Sequence, residues 1–572
     1  MSPVYHRARR DARARKLAKQ YGTDPDTLYT DAAHCGTHGF SLAAVGSVSR
    51  PGLFTCASAR TNSTNTAEAL AGWDDVSFHG SSQIPTPNLD ALSADGVILN
   101  NFYAQPACTP SRAALMTGLY PIRTGLQGLA LDVADPWGLP LDVRILPEYL
   151  KDLGYETHIV GKWALGYYET SYTPTCRGFD SFYGFYSGEE NYYTHSVTYQ
   201  NHTGLDFWLN RDPVWSVNGS YSTTLYTKRA QQLIRKRNKS KPLFLFLSHQ
   251  SPHGAGEPEP LQAPKKNVDK FPYIGERNRT IYAGMVDALD QSVGEVVKEL
   301  SAAGMLQNTV IIFCSDNGGQ PWGLHTTRSI NWPLRGSKGT VWEGATRVPA
   351  FVWSPLLINT RRVSHQLMHI TDWLPTLYSM AGGNPHALGK LDGFDMWQHL
   401  RFGVGSPRVE MLYNIDYRFL NAAALRLWRY KLVLDGTGFM SERYPRPGGS
   451  RPSHDLDKLL DQSTAAKVLR GFYKKGSLHF PENWRERATL NCPVPPWAHF
   501  RAEDGVHLFD IVTDPCELNN VASVYPEIVA FMKRRIDDYQ AMALPVKFEP
   551  KDPAGFPEHH NGTWAPWAGS TC

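Results

Sequence analysis

Several features that would narrow the function of this 572-residue chain are missing from its sequence. No apolar run approaches the roughly 18 residues that a membrane-spanning helix needs, so we expect no membrane span. The formal net charge of +4 is too small to indicate a nucleic-acid partner. No internal repeat is apparent, and 42% hydrophobic with 20% charged residues is typical of a globular protein.

The first 66 residues show neither helical nor strand periodicity. They begin with a basic run that no apolar segment follows, so we expect this run not to be a signal peptide. We expect residues 1–66 to be either disordered or the product of a mispredicted first exon. Cysteines other than Cys108 and Cys314 are candidates for disulfide bonds, with their pairing left open. Asn-x-Ser/Thr sequons favour a glycoprotein of the secretory route; they begin at Asn62, Asn201, Asn218, Asn238, Asn278 and Asn561.

From Trp73 onward the pattern is that of an α/β protein. Unbroken apolar runs at 243–247 and 309–313 predict strands that are buried on both faces. The segment 280–300 between them places its apolar residues on one helical face. This succession predicts a mainly parallel sheet flanked by helices, in a catalytic domain over residues 67–404. Paired strands beyond residue 405 predict a smaller α+β domain with an antiparallel sheet over 405–572.

The pentapeptide Cys108-Thr109-Pro110-Ser111-Arg112 is the most informative segment. Composition alone predicts roughly 0.6 copies of Cys-x-Pro, and adding Ser and Arg lowers that to about a few in a thousand. Thr109 can cap a helix and Pro110 suits the first helical position. Residue 108 is therefore predicted at a helix N-terminus, where backbone N–H groups attract anions. The alternative is a buried or disulfide-bonded cysteine beside an ordinary helix.

Other polar residues follow predicted strands. Asp316 and Asn317 follow 309–313, His253 follows 243–247, and Lys162 follows 158–160. Lys338 lies in a glycine-punctuated loop that can approach an anion. Each has an ordinary alternative, since Asp-Asn-Gly-Gly is usually a turn, an exposed lysine is usually solvated and a lone histidine is usually structural. Because parallel strands bring their carboxyl ends to one edge of a sheet, their convergence favours a binding site there.

Further motifs stand beside the pentapeptide, at 161–163, 316–319, 331–336, 342–344, 369–376 and 391–395. Together these segments resemble the type I sulfatases, and most closely the arylsulfatase B group, whose characterised member removes 4-sulfate from N-acetylgalactosamine. The resemblance implies an alkaline-phosphatase-like fold, hydrolysis of sulfate esters, and a lysosomal or extracellular location.

The resemblance also implies the role of each catalytic residue. Cys108 is oxidised to formylglycine by a formylglycine-generating enzyme, and its hydrate attacks the sulfur of a sulfated glycan or aryl sulfate. Arg112 stabilises the hydrate, while Lys162, His253 and Lys338 hold the sulfate and the leaving group. Cationic groups offset the negative charge of a sulfate ester, and a donor such as His253 can protonate the departing alcohol.

A divalent cation, expected to be Ca²⁺, is the implied cofactor. Its ligands would be residue 108, Asp316 and Asn317, because carboxylate and amide oxygens suit a hard ion. The family also places an Asp-Asp pair just before Gly72, but this chain has Ala69 and Leu70 there, with no apolar strand before them. Glu68 or Asp74 are the nearest carboxylates, at the wrong offsets.

A second departure is Ala164, which stands where the family has a histidine that contacts the hydrate and assists sulfate release. Losing an acid–base group lowers turnover by about 10²–10⁴-fold. The sequence therefore favours a sulfatase, with a catalytically impaired protein that binds sulfated glycans as the alternative. A phosphoryl hydrolase that uses Cys108 directly as nucleophile is a further alternative, although that group uses Ser or Thr and two metals.

Overall fold

The computed structural model describes the backbone of residues 63–69 and most of the chain from 71 to 572. The exceptions after residue 70 are 257, 322–326, 437–441, 444–448, 474–477, 495, 497, 570 and 571. The predicted disorder of the N-terminal segment, the sequon at Asn62 and the cysteines Cys35 and Cys56 lie outside the described residues.

Strands and helices alternate along the described chain. The strands are β1 Ser63–Ala69, β2 Val97–Leu99, β3 Phe102–Tyr103, β4 Glu156–Lys162, β5 Ser181–Phe185, β6 Ser196–Tyr199, β7 His202–Leu205, β8 Trp208–Leu209, β9 Asp212–Pro213, β10 Leu243–Ser248, β11 Thr309–Ser315, β12 Ala350–Trp353, β13 Arg362–Ser364, β14 Met368–His369, β15 Glu410–Asp416, β16 Ala422–Leu427, β17 Tyr430–Asp435 and β18 Val506–Asp510. The α-helices are α1 Pro87–Asp95, α2 Cys108–Thr117, α3 Leu146–Asp152, α4 Ser222–Lys236, α5 Lys265–Val268, α6 Arg277–Ala302, α7 Glu343–Thr346, α8 Trp373–Met380, α9 Trp397–Phe402, α10 Leu456–Gln462, α11 Thr464–Phe472, α12 Trp484–Ala488 and α13 Pro526–Gln540.

A ten-stranded sheet with the order β13-β2-β12-β11-β1-β10-β4-β5-β8-β9 forms the centre of the fold. Its five middle strands, β11 to β5, run parallel, which confirms the predicted parallel core. The edges are mixed, because β12 pairs antiparallel with β11 and with β2. The parallel centre brings the carboxyl ends of β1, β4, β10 and β11 to one edge.

The side chains of β10 point alternately into two layers of the hydrophobic core. Phe244 and Phe246 pack in a cluster with residues of α2, α3 and α8. Leu243, Leu245 and Leu247 pack on the opposite face with residues of α1, α4 and α6. Successive side chains of a strand point to opposite faces, so an unbroken apolar run is what a strand covered by helices on both sides requires.

The central strand β1 corrects the sequence-based expectation that no strand precedes Gly72. β1 lies between β10 and β11, with Thr64 opposite both Phe244 and Val310. Its sequence, Ser-Thr-Asn-Thr-Ala-Glu-Ala, lacks the apolar run that marks its neighbours, and for this reason the pattern did not reveal it. Ala69, at its carboxyl end, pairs with Ser315, directly before Asp316.

The C-terminal part contains the predicted antiparallel sheet, with the order β15-β16-β17-β18. Met532 and Ile536 of α13 cover it and pack in one cluster with Leu425 and Leu432. Lys431 of β17 is fully buried and contacts Glu343 of α7 at 3.0 Å. The division into domains at residue 404 stays a prediction.

Two disulfides join Cys176 to Cys572 and Cys492 to Cys516. Cys108 and Cys314 take part in neither of them. The asparagines of the sequons at 201, 218, 238, 278 and 561 are all exposed. In the described part of the chain, no helix combines the length and the apolar character that crossing a bilayer requires.

Candidate active site

Cys108 is the first residue of α2 and is 1% exposed, so the predicted position at a helix N-terminus is confirmed. The predicted capping role of Thr109 and the first helical position of Pro110 are wrong, because the helix begins at Cys108, two residues earlier than predicted, with Ala107 at the N-cap. The Thr109 hydroxyl instead donates to the carbonyl of Ala164 at 2.9 Å and accepts from the N–H of Leu131 at 2.8 Å. It therefore fixes two loops against the start of α2.

The carboxyl edge of the sheet brings the predicted residues to Cys108. Lys162 is the last residue of β4, and Asp316 and Asn317 directly follow β11. The Cys108 Sγ lies 3.4 Å from the Asn317 Oδ1, and the Ser111 hydroxyl donates to the Asp316 carbonyl. The strand ends thus hold the first turn of α2 in place.

Arg112 lies one turn further along α2, and its guanidinium contacts three parts of this edge. It donates to the Lys162 carbonyl at 3.0 Å and to the Ser248 hydroxyl at 2.6 Å. It also pairs with the Asp316 Oδ2 at 3.2 Å, with both side chains buried. Through these contacts Arg112 holds the strand ends together, and its charge lies close to Asp316.

The electrostatics around Cys108 favour an anion. Burial alone would raise the pKa of the Cys108 thiol, but Lys162, Lys338 and Arg112 lower that pKa to about 6. Burial lowers the pKa of Lys162, which the charge at Cys108 partly offsets. The Sγ stands in for the oxygens that formylglycine would carry, so the same cations would stabilise a negative oxygen there.

His253 and Lys338 meet beside this cluster. The Lys338 Nζ donates to the His253 Nε2 at 2.9 Å, while the His253 Nδ1 donates to the Gly254 carbonyl at 2.8 Å. His253 lies in the loop that follows β10, and Lys338 comes from the loop before α7. The structure thus brings together all the predicted catalytic residues.

Glu189 is a site residue that the sequence did not reveal. Its Oε2 lies 3.6 Å from the His253 Nδ1, and its side chain is 16% exposed. Burial, followed by the charge of Asp132, raises the pKa of Glu189 to about 8, although Lys338 and Lys162 oppose the shift. The available signal was its position four residues after β5, a further parallel strand that ends at the same edge.

The side chains around Asp316 are of the chemical type that binds a hard cation, but they supply few ligands. The Asp316 Oδ1 is buried and, among the described residues, has no hydrogen-bond partner, while the Asn317 Oδ1 faces Cys108. Asp74, the alternative ligand, instead pairs with Arg451 at 3.2 Å. Within the described ranges, no three His, Cys, Asp or Glu side chains group as metal ligands do. Calcium prefers six to eight oxygens, so Asp316 and Asn317 form a partial site.

Ala164, two residues beyond the end of β4, lies directly beside the start of α2. It is fully buried, with φ of 53° in the left-handed region. Its N–H donates to the Tyr186 carbonyl at 3.0 Å, and its carbonyl accepts from Thr109. The loop is thus held by backbone bonds that any side chain at 164 would keep.

Comparisons with known proteins agree with this geometry. A family model described as Sulfatase matches residues 66–383. Arylsulfatase J of Mus musculus is 40% identical over 516 residues, which are 87% of this chain and 78% of that protein. N-acetylgalactosamine-6-sulfatase of Canis lupus familiaris is 32% identical over 383 residues, 63% of this chain and 69% of that protein. A crystal structure of Ps i-CgsB in complex with k-i-k-neocarrahexaose is 25% identical with a TM-score of 0.65, covering 86% of this chain and 95% of that one.

Proposed function

The chain belongs to the sulfatase family and hydrolyses sulfate esters, and we propose that residue 108, as formylglycine, is its nucleophile. The observation that supports this role is the setting of Cys108, buried at the start of α2 among Lys162, Lys338 and Arg112. Hydrated formylglycine would supply a hydroxyl nucleophile there. The alkaline-phosphatase-like fold predicted from the sequence accompanies this family membership.

Lys162 and Lys338 would bind the sulfate oxygens. A sulfate ester carries a negative charge that repels an oxygen nucleophile, and two ammonium groups offset this charge before the reaction begins. Lys162 is 2% exposed, so its interaction with sulfate is weakly screened by water. Arg112 holds Asp316 and the end of β4 at fixed positions around the same oxygens.

His253 would protonate the leaving alcohol. Its Nε2 faces Lys338, which would hold the sulfate, so the imidazole lies beside the position of the scissile bond. A sugar alkoxide is a poor leaving group, and a positioned acid typically accelerates such a step by about 10²–10⁴-fold.

Asp316 and Asn317 would hold a divalent cation, most suitably Ca²⁺, because their oxygens match a hard ion. The bound cation would stabilise negative charge on the sulfate. Without further carboxylates from positions 69 and 70, we expect the affinity for this ion to be low.

The proposed substrate class is a sulfated glycan. One relative is named N-acetylgalactosamine-6-sulfatase, and one similar solved structure is a complex with k-i-k-neocarrahexaose, so both names support a carbohydrate substrate. Membership of the arylsulfatase B group stays a prediction. The exposed sequon asparagines support a glycosylated protein of the lysosome or the extracellular space, modified by a formylglycine-generating enzyme in the secretory route.

A second candidate function is binding of sulfated glycans without turnover. Ala164 and the pair Ala69 and Leu70 support it, since they remove an acid–base group and two carboxylates. The thiol-containing site would still present its cations to sulfate.

The two candidates separate in one experiment. The protein is produced in cells that contain a formylglycine-generating enzyme, the peptide around residue 108 is analysed by mass spectrometry, and 4-methylumbelliferyl sulfate hydrolysis is measured. We expect conversion to formylglycine and hydrolysis that Cys108→Ala abolishes. An unmodified thiol with no hydrolysis, together with retained binding of a sulfated oligosaccharide, would establish the binding function instead.

A further inference from the structure

Glu189, His253 and Lys338 form a row of a carboxyl, an imidazole and an ammonium group. The Glu189 Oε2 lies 3.6 Å from the His253 Nδ1, and the His253 Nε2 lies 2.9 Å from the Lys338 Nζ. We propose that Glu189 is a positioning residue that orients His253 and stabilises its protonated ring, so that His253 can protonate the leaving alcohol. This inference rests on the proposed function.

The loop that carries Glu189 is fixed to the loop that carries His253. The Ser187 hydroxyl donates to the Glu189 carbonyl at 2.8 Å, and the Gln250 amide donates to the Glu190 carbonyl at 2.6 Å. The Tyr192 hydroxyl donates to the His253 carbonyl at 2.9 Å. The carboxyl and the imidazole therefore keep their relative positions, as a pair that acts together requires.

The hydrogen bonds of His253 explain why it needs a partner. Its Nδ1 carries a hydrogen, because the Gly254 carbonyl can only accept, and its Nε2 accepts from Lys338. The neutral ring in this arrangement has no proton at Nε2 to give. Protonation of Nε2 makes the ring a cation, and a neighbouring cation such as Lys338 opposes this. The Glu189 carboxylate is the charge that offsets it.

The proton balance follows from the surroundings of Glu189. Burial and the charges of Asp132 and residue 108 raise the pKa of Glu189 to about 8, Lys338 and Lys162 oppose this shift, and His253 lies 3.6 Å away. Glu189 and His253 can thus share one proton, held by the carboxyl or by Nε2. When the S–O bond to the alcohol breaks, its electron pair goes to the alcohol oxygen, which takes the Nε2 proton. The ring becomes neutral and the carboxylate remains until solvent returns a proton.

The test compares two leaving groups. Glu189→Gln removes the negative charge at nearly constant side-chain shape, and Glu189→Asp keeps the charge. The matched control is Glu259→Gln, at an exposed glutamate six residues beyond His253. We measure kcat/KM for 4-nitrophenyl sulfate, whose leaving group needs little protonation, and for a sulfated N-acetylgalactosamine, whose leaving group needs it.

For Glu189→Gln we expect a loss of about 100-fold on the sugar sulfate and at most about threefold on the aryl sulfate. The basic limb of the sugar-sulfate pH profile should move to lower pH, because His253 loses its proton more easily beside a neutral amide. Glu189→Asp should recover part of the loss, and Glu259→Gln should match the wild type on both substrates.

Equal losses on both substrates, with an unmoved pH profile, would overturn the inference, since a purely structural role predicts that result. So would a burst of 4-nitrophenol followed by slow turnover in Glu189→Gln, which would place Glu189 at sulfate release. A wild-type protein that contains formylglycine but hydrolyses neither substrate would overturn the proposed function itself.

Discussion

Replacing Ala164 by histidine tests the departure from the family that lies directly beside the start of α2. The backbone at 164 is already suitable, because φ is 53° and histidine is enriched among non-glycine residues with positive φ. The bonds to Tyr186 and Thr109 use only backbone atoms of residue 164, so they persist in Ala164→His. The substitution therefore adds an imidazole beside the start of α2 while the loop keeps its conformation.

The expected gain follows from the cost of a missing acid–base group. A cost of about 10²–10⁴ in rate corresponds to about 3–5 kcal/mol in the barrier. We expect kcat to rise at least about 100-fold if the imidazole reaches residue 108. Because Ala164 is fully buried, insertion of the ring should lower the free energy of unfolding by about 1–3 kcal/mol.

The assay is steady-state hydrolysis of 4-methylumbelliferyl sulfate, with each rate divided by the fraction of formylglycine found by mass spectrometry. Ala164→Asn is the matched control, since asparagine also tolerates positive φ but cannot transfer a proton. If Ala164→His and Ala164→Asn hydrolyse the substrate at the wild-type rate at equal formylglycine content, the missing histidine does not limit this enzyme.

Three further predictions concern the metal, the pH dependence and the C-terminal sheet. Ala69→Asp with Leu70→Asp should raise Ca²⁺ affinity at least about tenfold in calorimetric titration, because position 69 pairs with Ser315 beside Asp316; an unchanged affinity would mean that no cation binds at Asp316. Burial raises the pKa of Asp290 to about 7, so the folded state holds a proton that the unfolded state has released. The free energy of unfolding should therefore fall by about 1 kcal/mol per pH unit between about pH 4 and pH 7 on account of this residue and level off above pH 7, and urea denaturation of Asp290→Asn should lack that part of the slope. Lys431 contacts Glu343 at 3.0 Å and Glu517 at 2.7 Å, all three buried. Lys431→Met leaves two buried carboxyls together and should cost about 3–5 kcal/mol in the same denaturation assay; a cost below about 1 kcal/mol would show that the carboxyls hold a proton without the lysine.

The parallel core was predictable because its strands are marked by unbroken apolar runs in the sequence. Apolar runs at 243–247 and 309–313 match β10 and β11, whose two faces are both covered by helices. β1 could not be predicted in this way, because its sequence is mostly polar although the strand lies between β10 and β11 in the same sheet. The direction of β12 was also beyond the pattern, because local periodicity carries no information on strand orientation.

Much of the site was predictable for a topological reason. Lys162, Asp316 and Asn317 lie at or just beyond strand ends, and parallel strands place those ends together. Glu189 was missed because its significance depends on a distance to His253 across 64 residues of chain, which no local pattern encodes. The predicted capping role of Thr109 was wrong because the helix starts two residues earlier than the pattern indicated.

The depth at which Cys108 lies bears on when the proposed modification of this residue could take place. At 1% exposure, with its backbone in the first turn of α2, the thiol is out of reach of another enzyme's active site once α2 has packed on the sheet. If residue 108 is the proposed formylglycine, its oxidation would have to precede that packing. The fraction of active molecules would then depend on the rate of modification relative to the rate of folding, so conditions that slow folding should increase the formylglycine content of the purified protein.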